Sequence, residues 1–376
     1  TMEHTHYYRP TKAIIDLQAI RDNVQNLRRH LQEHVQIIAV VKANAYGHGD
    51  VEVARAALQA GATILAVATP DEAVHLRTYF PETELLVLGA TPISFVQYAS
   101  EHNITLTVFS TQWVEQAKKV QGLAKPLLLH IKVDSGMGRI GVTAKEALLE
   151  LYETIQATPN FVVDGIFTHF ATADEEDTQY FEQQATTFKE LVYALPTKPR
   201  LVHAANTATA LIKDSSLQFD AVRYGISLYG LAPSGYVANM LPFPIQQAFS
   251  LETEIVHVKE LQAGQSVGYG ATFTATENCL IGTLPIGYAD GMIRKLGGQT
   301  VLVNGERCPI VGRICMDQCM ILLPHAYNVG EPVILLGKQS NDFISIDEWA
   351  TKCDTINYEV PCIITSRVPR VYKNKK

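Results

Sequence analysis

The sequence predicts an α/β protein: an N-terminal (β/α)8 barrel of the TIM type followed by a mostly antiparallel β domain. Eight short apolar runs alternate with segments that can form amphipathic helices, all before residue 240. Eight β/α units are the number that closes a barrel of parallel strands. Beyond Pro242–Pro244 the pattern becomes mainly β, which indicates a second domain. We therefore place the two domains at residues 1–240 and 241–376.

The eight runs are short and rich in Val, Ile and Leu, as expected for strands buried on both faces. They are Ile37–Lys42, Ile64–Val67, Leu85–Leu88, Thr105–Val108, Leu127–Val133, Val163–Phe167, Leu201–Ala204 and Ala221–Tyr224. Helical patterns cover Leu17–Gln32, Val51–Ala60 with Asp50 as its N-cap, Pro70–Arg77, Thr111–Val120, Ala144–Thr158 and Gln179–Ala194. A doubly wound open sheet is the alternative, which the count of eight and the lack of G-x-G-x-x-G after the first run disfavour.

The second domain carries its own β signals. Strands are predicted from Phe249 onward, with imperfect alternation, and at Val333–Leu336. Asn304-Gly305 is typical of a two-residue hairpin turn. Ser345 followed three residues later by Glu348 is a capping-box pattern, which predicts a short helix.

Composition excludes several classes of protein. The chain has 376 residues, of which 47% are hydrophobic and 18% charged, an ordinary globular composition. A formal net charge of −7 without a basic stripe argues against nucleic-acid binding. No apolar run approaches the roughly 20 residues that span a membrane, and no secretory signal pattern is seen. We expect a cytoplasmic protein with neither a membrane nor a nucleic-acid partner.

The six cysteines all lie from Cys279 onward. Cys315 and Cys319 are four residues apart, but no second pair of cysteines or histidines completes a zinc site. We therefore expect no metal, and we expect buried, reduced thiols.

The candidate active site lies where the barrel strands end, because barrel enzymes hold their catalytic residues at that face. Lys42 stands where the first run stops, and an amine in an apolar mouth has the lowered pKa that Schiff-base chemistry needs. A lysine that merely extends into solvent is the alternative. The loops after the last two strands often hold a phosphate, and Thr207 opens a helix there. A lysine with a phosphate site suggests pyridoxal 5′-phosphate.

Six motifs, which together run over nearly the whole chain, resemble those of the alanine racemases in sequence and in order. They are Val41–Gly49, Lys132–Arg139, Gly268–Ala271, Gly287–Gly291, Val311–Gln318 and Asn357–Pro361.

The resemblance implies a pyridoxal-phosphate-dependent homodimer with active sites shared between the subunits. Lys42 and Tyr269 of the other subunit would be the catalytic bases, and Arg139 and the Met316 backbone would bind the substrate carboxylate. The implied cofactor residues are Lys42, Tyr46, Leu88, His169, Asn206, Thr207, Arg223, Gly225, Ile226 and Tyr358, with Lys132, Tyr288, Cys315 and Asp317 in support. Thr207 stands where the family usually has serine, and it keeps the hydroxyl.

Physical chemistry supports these implied roles. Racemisation removes a proton from one face of Cα and returns one to the other, so two opposed bases are expected. A tyrosine base, with a usual pKa of about 10, needs cations nearby, and a His169–Arg223 pair is the predicted source. Arg223 stays protonated and would keep a facing pyridine nitrogen unprotonated.

Each of these roles has an alternative. Tyr269 could be a hydrogen-bonding tyrosine of the β domain that merely faces the barrel, and Arg223 could pair with a helix carboxylate. In the family the lysine that matches Lys132 can be carbamylated, which would create an anion able to orient Arg139; a bare lysine is the alternative.

The expected function is the interconversion of L-alanine and D-alanine, which would supply D-alanine for bacterial cell-wall peptidoglycan. The rivals are a racemase for serine or a broader set of amino acids, and a non-enzymatic pyridoxal-phosphate-binding protein. Tyr358 would crowd a side chain larger than methyl. A basic-amino-acid decarboxylase shares this fold, but its carboxylate for the pyridine nitrogen and its triple-glycine loop are missing from the sequence.

Overall fold

The computed structural model describes residues 6–376, which separate into two compact units. The barrel unit comprises Ile20–Ala45 and Asp50–Gln246. The sheet unit comprises Tyr46–Gly49, Gln247–Lys376 and the described residues as far as Ala19. No helix within residues 6–376 has the length and hydrophobicity that a bilayer-spanning segment requires.

The first strand, β1 (Lys12–Asp16), belongs to the sheet unit, and the next eight strands close the predicted barrel. They are β2 (Gln36–Val40), β3 (Ile64–Val67), β4 (Glu84–Val87), β5 (Ile104–Val108), β6 (Leu127–Lys132), β7 (Phe161–Phe167), β8 (Leu201–His203) and β9 (Ala221–Tyr224). Every neighbouring pair is parallel, and β9 pairs with β2 to complete the ring. The predicted barrel is confirmed.

Helices alternate with the barrel strands. They span Leu17–His30, Asp50–Ala60, Pro70–Tyr79, Val96–Glu101, Thr111–Ala117, Lys145–Gln156, Gln179–Ala194, Thr207–Ile212 and Gly235–Ala238, with 3-10 segments at Ile93–Phe95, Ser215–Leu217 and Ile226–Tyr229. Thr69 forms a capping box with Glu72, which fixes the start of the third helix. The predicted N-cap at Asp50 is one residue off, because Asp50 is the first helical residue.

The sheet unit is built on a ten-stranded sheet in which β1 lies between β10 and β20. Its further strands are β10 (Phe249–Glu254), β11 (His257–Leu261), β12 (Ser266–Val267), β13 (Phe273–Thr274), β14 (Cys279–Leu284), β15 (Thr300–Val303), β16 (Glu306–Val311), β17 (Cys319–Leu323), β18 (Pro332–Gln339), β19 (Asp342–Ile344) and β20 (Arg370–Lys373). Short helices span Ile346–Lys352 and Glu359–Ile363, and 3-10 segments span Tyr269–Ala271, Tyr288–Asp290 and Arg294–Leu296.

The pairing in this sheet is antiparallel except between β1 and β20, so the predicted β domain is confirmed as mostly antiparallel. Asn304 and Gly305 form the predicted hairpin turn, with φ angles of 49° and 81°. Ser345 caps the short helix by accepting a hydrogen bond from the Glu348 N–H at 3.0 Å. Our placement of residues 1–240 with the barrel is wrong for β1, whose hydrogen-bonded partners are all in the sheet.

None of the six cysteines, all within the described part of the chain, forms a disulfide. Burial raises the pKa of Cys308 to about 11 and that of Cys319 to about 12, so these thiols stay protonated. Cys362 is exposed, and the prediction of buried thiols is wrong for it. Within residues 6–376 no three His, Cys, Asp or Glu side chains are grouped closely enough to hold a metal ion.

Candidate active site

The candidate residues divide between the two units, and each group is described within its own unit. The barrel unit contains Lys42, Leu88, Lys132, Arg139, His169, Asn206, Thr207, Arg223, Gly225 and Ile226. The sheet unit contains Tyr46, Tyr269, Tyr288, Cys315, Met316, Asp317 and Tyr358. The ten barrel residues all lie at or just beyond the carboxyl ends of barrel strands, and therefore at one face of the barrel.

Lys42 begins a left-handed turn two residues after β2 ends at Val40. The residues Ala43, Asn44, Ala45 and Tyr46 have φ angles of 52°, 53°, 53° and 53°. This conformation costs a non-glycine residue about 1–2 kcal/mol and usually occurs at single positions. Such strain persists only where surrounding contacts enforce it, so the contacts of the turn determine where Lys42 lies.

Two side chains hold this turn. The Glu72 carboxylate accepts hydrogen bonds from the Ala43 N–H at 2.6 Å and from two N–H groups of the loop after β3, at 2.9 and 3.0 Å. The Asn44 side-chain oxygen accepts the first N–H of the following helix at 3.0 Å. Glu72 thus ties the Lys42 turn to the neighbouring strand end. The sequence did not reveal this role, although the spacing of Glu72 from Thr69 is that of a capping box.

Arg139 lies in a glycine-containing loop after β6 that Asp134 shapes. The Asp134 carboxylate accepts the N–H groups of Gly136 and Gly138, each at 3.0 Å. These glycines have φ angles of 144° and 77°, in the region that favours glycine. The Asp134 carboxylate therefore hydrogen-bonds its own loop, and the exposed Arg139 follows it.

Four basic side chains, those of Lys42, Lys132, Arg139 and Arg223, interact electrostatically at this face. Lys132 is only 4% exposed. Its pKa falls to about 6, because of burial first and then repulsion by Arg223, Arg139 and Lys42, which attraction to Asp134 only partly opposes. With Lys132 neutral above that pH, the face still carries the guanidinium charges of Arg139 and Arg223, and such positive charge is a property of anion-binding sites.

Arg223 is buried in β9, and three hydrogen bonds fix its guanidinium. Nη1 donates to His203 Nδ1 at 2.8 Å, while Nη2 donates to the carbonyl oxygens of Thr168 at 2.7 Å and Ala204 at 3.2 Å. Burial, and then repulsion by Arg139, lowers the pKa of Arg223 to about 9. The guanidinium therefore keeps its charge at neutral pH.

The predicted pairing of Arg223 with His169 is corrected by this geometry, since the imidazole that bonds Arg223 belongs to His203. Burial first, and then repulsion by Arg223 and Lys132, lowers the pKa of His169 to about 2. His169 is thus neutral at physiological pH, and the positive field comes from the arginine and lysine groups.

His203 begins a chain of hydrogen bonds through the barrel interior that the sequence did not reveal. His203 Nε2 lies 3.0 Å from His130 Nδ1, and His130 Nε2 lies 2.9 Å from Asp164 Oδ2. Asp164 Oδ1 accepts from Arg200 Nε at 2.8 Å. We call Arg223, His203, His130 and Asp164 the interior chain. Its signal in the sequence was an ionisable side chain within each of three predicted strands, at His130, Asp164 and His203.

The loops after β8 and β9 meet at Thr207, whose hydroxyl oxygen accepts the Gly225 N–H at 2.9 Å. Asn206 caps the helix that Thr207 begins, and Ile226 begins a 3-10 segment. The first N–H groups of such segments have no partner within the segment, which suits an anion. Leu88, just beyond β4, is half-buried.

In the sheet unit, Tyr46 and Tyr358 lie together, with ring centroids 6.2 Å apart. Tyr46 is only 8% exposed. Burial, and then the neighbouring Tyr358 and Cys362, raises the pKa of Tyr46, so that its hydroxyl remains a proton donor at neutral pH.

Met316 lies in a turn that backbone hydrogen bonds connect to the Tyr288 segment. The Tyr288 N–H donates to the Cys315 carbonyl at 2.9 Å, and the Ala289 N–H donates to the Met316 carbonyl at 3.0 Å. A Cβ atom at Gly287 would lie 2.3 Å from the Cys315 carbonyl oxygen, so only glycine allows this approach.

Asp290 holds the same turn in place. Its buried carboxylate accepts the Gly287 N–H at 3.0 Å and pairs with Arg9 at 2.8 Å and Arg367 at 3.1 Å. Arg367 also pairs with Asp317 at 2.9 Å. The supporting residues Tyr288, Cys315 and Asp317 thus belong to one structure around Met316.

Tyr269 and Met316 are exposed to solvent in the single chain, at 71% and 52%. Gly270 follows Tyr269 with a φ angle of 71°, and a Cβ atom there would lie 3.1 Å from the Arg313 guanidinium. The sheet unit therefore presents two of the implied site residues on its outer surface.

Comparisons with known proteins identify relatives over almost the whole chain. Residues 15–233 match the family model "Alanine racemase, N-terminal domain", and residues 248–372 match "Alanine racemase, C-terminal domain". The alanine racemase of Geobacillus kaustophilus is 52% identical over 371 residues, covering 98% of this chain and 96% of that protein. Alanine racemase 1 of Bacillus subtilis is 48% identical over 97% of this chain and 94% of its own length.

Solved structures give the same result for the fold. The crystal structure of alanine racemase from Bacillus anthracis with bound L-Ala-P has a TM-score of 0.95 at 43% identity and covers 99% of this chain and 97% of that one. A histidine racemase from Leuconostoc mesenteroides has a TM-score of 0.92 at 30% identity and covers 98% of this chain and 100% of its own. The fold thus occurs in racemases for different amino acids.

Proposed function

Because this chain belongs to the alanine racemase family and is a racemase, we propose that it interconverts L-alanine and D-alanine with pyridoxal 5′-phosphate as its cofactor. The observation that carries the proposal is the group of four basic side chains, Lys42, Arg139 and Arg223 around the buried Lys132, at the mouth of the barrel. We further propose that the enzyme is a cytoplasmic homodimer and that its D-alanine supplies peptidoglycan synthesis.

The residues of the barrel face fit an anionic cofactor with an aldehyde. Lys42 offers an amine that can form a Schiff base. Thr207 offers the proton of its hydroxyl to a phosphate, and Gly225 and Ile226 offer backbone N–H groups, of which that of Gly225 would exchange the Thr207 oxygen for a phosphate oxygen. Arg223, fixed by its three hydrogen bonds, would hold the ring nitrogen. When bound, pyridoxal 5′-phosphate would supply an electron sink that stabilises negative charge at the substrate Cα.

The chain's own residues would then move the proton. Lys42 Nζ would exchange a proton with one face of Cα, and Tyr269 Oη of the partner subunit would exchange a proton with the other face. Each positioned base contributes about 10²–10⁴ in rate. A tyrosine base needs positive charge nearby to stabilise phenolate, and Arg223 rather than the neutral His169 would supply it.

Arg139 and the Met316 backbone would bind the substrate carboxylate, Arg139 by a charge-assisted hydrogen bond. The Asp134-shaped loop and the Asp290-anchored turn give these two groups fixed backbones. Tyr358, held against the buried Tyr46, would limit the substrate side chain to about the size of methyl.

The homodimer proposal rests on the exposure of Tyr269 and Met316 in the single chain. Both belong to the sheet unit, and a reaction that needs them beside Lys42 would gain them from a second copy of the chain. A lone barrel that only binds the cofactor would have no use for these exposed groups.

The function is tested by measuring racemisation of L-alanine, L-serine, L-lysine and L-histidine with added pyridoxal 5′-phosphate. We expect kcat/KM for L-alanine to exceed the others by at least about tenfold, the discrimination that a few extra side-chain atoms allow in a tight pocket. Equal rates for L-serine or L-histidine would favour the broad-specificity rival. Cofactor binding without turnover of any of the four would favour the non-enzymatic one.

Lys132 is expected to be carbamylated. Its pKa of about 6, lowered by burial first and then by Arg223, Arg139 and Lys42, leaves the amine neutral above that pH, and only a neutral amine reacts with CO₂. A carbamate would place an anion among three cations and orient Arg139. Native mass spectrometry in bicarbonate at about pH 8 should find each chain heavier by one CO₂, and the gain should disappear as the pH falls through 6.

Two variants control this measurement. Lys132→Met should lack the gain, and Lys198→Met, which removes a surface lysine paired with Asp220, should keep it. Wild-type protein that carries no added mass in bicarbonate would contradict the carbamate.

A further inference from the structure

The barrel interior contains a continuous polar chain where such barrels usually pack branched apolar side chains. It runs from Arg223 through His203 and His130 to Asp164, with contacts of 2.8, 3.0 and 2.9 Å. All four residues are buried, with His203 at 0% and His130 at 2% exposure. A buried polar group without a partner is costly, so each link needs a proton in the correct place.

The donor and the acceptor of each hydrogen bond in the interior chain can be assigned by starting from Arg223. A guanidinium has no acceptor, so the bond from Arg223 makes His203 Nδ1 an acceptor. A neutral His203 then carries its proton on Nε2 and donates it to His130 Nδ1. His130 in turn carries its proton on Nε2 and donates it to the Asp164 carboxylate. Every bond therefore points the same way, from Arg223 toward Asp164.

A second proton on either histidine would disrupt this arrangement of donors and acceptors. A second proton on His203 would face the N–H groups of Arg223, and a second proton on His130 would face the N–H of His203. Burial, and then repulsion by Arg223, holds the pKa of His203 far below its usual value. Burial would raise the pKa of Asp164, but hydrogen bonds from His130 and Arg200 outweigh it and keep the carboxylate ionised.

The surrounding barrel is shaped to admit these rings. A Cβ atom at position 165 would lie 2.6 Å from three ring atoms of His130, so Gly165 makes room for the imidazole. The pairing of β6 with β7 shifts register at His130, next to Asp164. The Phe167 ring stacks on His203 with centroids 4.6 Å apart and planes 11° apart. Little freedom remains for either imidazole to turn.

We propose that His203, His130 and Asp164 are positioning residues that hold the Arg223 guanidinium charged and correctly aimed for racemisation. At the Asp164 end of the interior chain, Arg200 pairs with the carboxylates of Asp164 and Glu84. This end lies at the amino ends of the strands, opposite the candidate active site, so Arg223 is anchored through the barrel interior. The part that concerns turnover depends on the proposed role of Arg223, whereas the direction of the hydrogen bonds does not.

Two substitutions of His203 distinguish the effect of its hydrogen bonds from the effect of its volume. A glutamine can accept from Arg223 with its carbonyl and donate to His130 with its amide, as the neutral imidazole does. A leucine fills similar volume but leaves Arg223 and His130 without a partner. We expect His203→Leu to lower kcat by about 10–100-fold, the effect of leaving a charged hydrogen bond unmade. His203→Gln should restore kcat to within about fivefold of wild type. KM for alanine should change by less than about threefold in both, because His203 is fully buried in the barrel interior.

A carboxylate pair gives a second, matched comparison. Asp164→Asn removes the charge that accepts from His130, and Glu306→Gln removes a carboxylate that faces His325 at 3.1 Å on the surface of the sheet unit. We expect about tenfold lower kcat in Asp164→Asn, the scale seen when a supporting partner is lost, and wild-type kcat in Glu306→Gln. If His203→Leu does not fold, this comparison and His203→Gln still decide.

Nitrogen NMR of cofactor-loaded protein with ¹⁵N-labelled histidine shows which ring nitrogen of each histidine carries a proton. This measurement of the hydrogen-bond direction does not depend on racemase activity. The resonances that disappear in His203→Gln assign that ring. We expect both His203 and His130 to be protonated on Nε2 alone, the tautomers that the hydrogen bonds require. We expect the His203 ring to stay neutral between about pH 5 and about pH 9, because burial and Arg223 hold its pKa far below the usual range of a histidine. A proton on Nδ1 of either ring, or titration of His203 in that range, would overturn the inference. The expected tautomers in a protein that racemises nothing would refute the proposed function alone. Wild-type kcat in His203→Leu would refute the positioning role.

Discussion

Lys42→Ala is expected to lower kcat for alanine racemisation by at least about 10³-fold, because it removes both a catalytic base and the covalent attachment of the cofactor. The visible absorption band of the lysine-bound cofactor, at about 420 nm for a Schiff base of this kind, should vanish as well. The Lys42 side chain contributes none of the hydrogen bonds that Glu72 and Asn44 make to the turn, so the backbone should keep its conformation.

Absorbance spectra and racemisation rates of the purified variant, at matched cofactor content, check this expectation. Lys198→Ala serves as the control, since that lysine is 60% exposed in its ion pair with Asp220. An unchanged visible band in Lys42→Ala would mean that the cofactor is attached elsewhere, and the assignment of this site would fail.

Tyr269→Ala is expected to lower kcat by about 10²–10⁴-fold, the contribution of one positioned base. Mixing it with Lys42→Ala should then restore activity. In a hybrid dimer one of the two sites combines an intact Lys42 with an intact Tyr269 from the partner subunit, while the other site lacks both. Random exchange makes half of the dimers hybrid, so the mixture should reach roughly a quarter of wild-type activity.

Subunits with two different affinity tags show whether exchange has taken place. No recovery of activity in dimers that carry both tags would contradict the shared site. Tyr193→Ala, which removes a tyrosine that is 92% exposed on the barrel unit, should leave racemisation unchanged and controls for general effects of losing a surface tyrosine.

The barrel could be predicted because a parallel barrel buries both faces of every strand, so that its strands read as continuous apolar runs. Ile64–Val67 and Ala221–Tyr224 match β3 and β9 at both ends, and the other six strands differ by at most two residues at either end. The place of β1 could not be predicted. Its partners β10 and β20 come from the far end of the chain, and a local pattern does not reveal a pairing over that distance.

The candidate site was readable to the extent that topology determines it. Strand ends of a barrel meet at one face, so Lys42, Arg139 and Thr207 could be grouped from their positions alone. The interior chain could not be found in this way. His130, Asp164 and His203 sit within apolar runs, and only the folded barrel brings β6, β7 and β8 side by side. The left-handed turn was also hidden, because its residues include no glycine.

That turn has a consequence for engineering the enzyme. Ala43→Gly or Ala45→Gly would relieve part of the backbone strain and raise the free energy of unfolding by about 1 kcal/mol at each position. The same change would give Lys42 more conformational freedom. Selection for stability would therefore favour glycine in this turn, whereas selection for activity would favour alanine. A thermostable variant that gains glycine here should have a lower kcat.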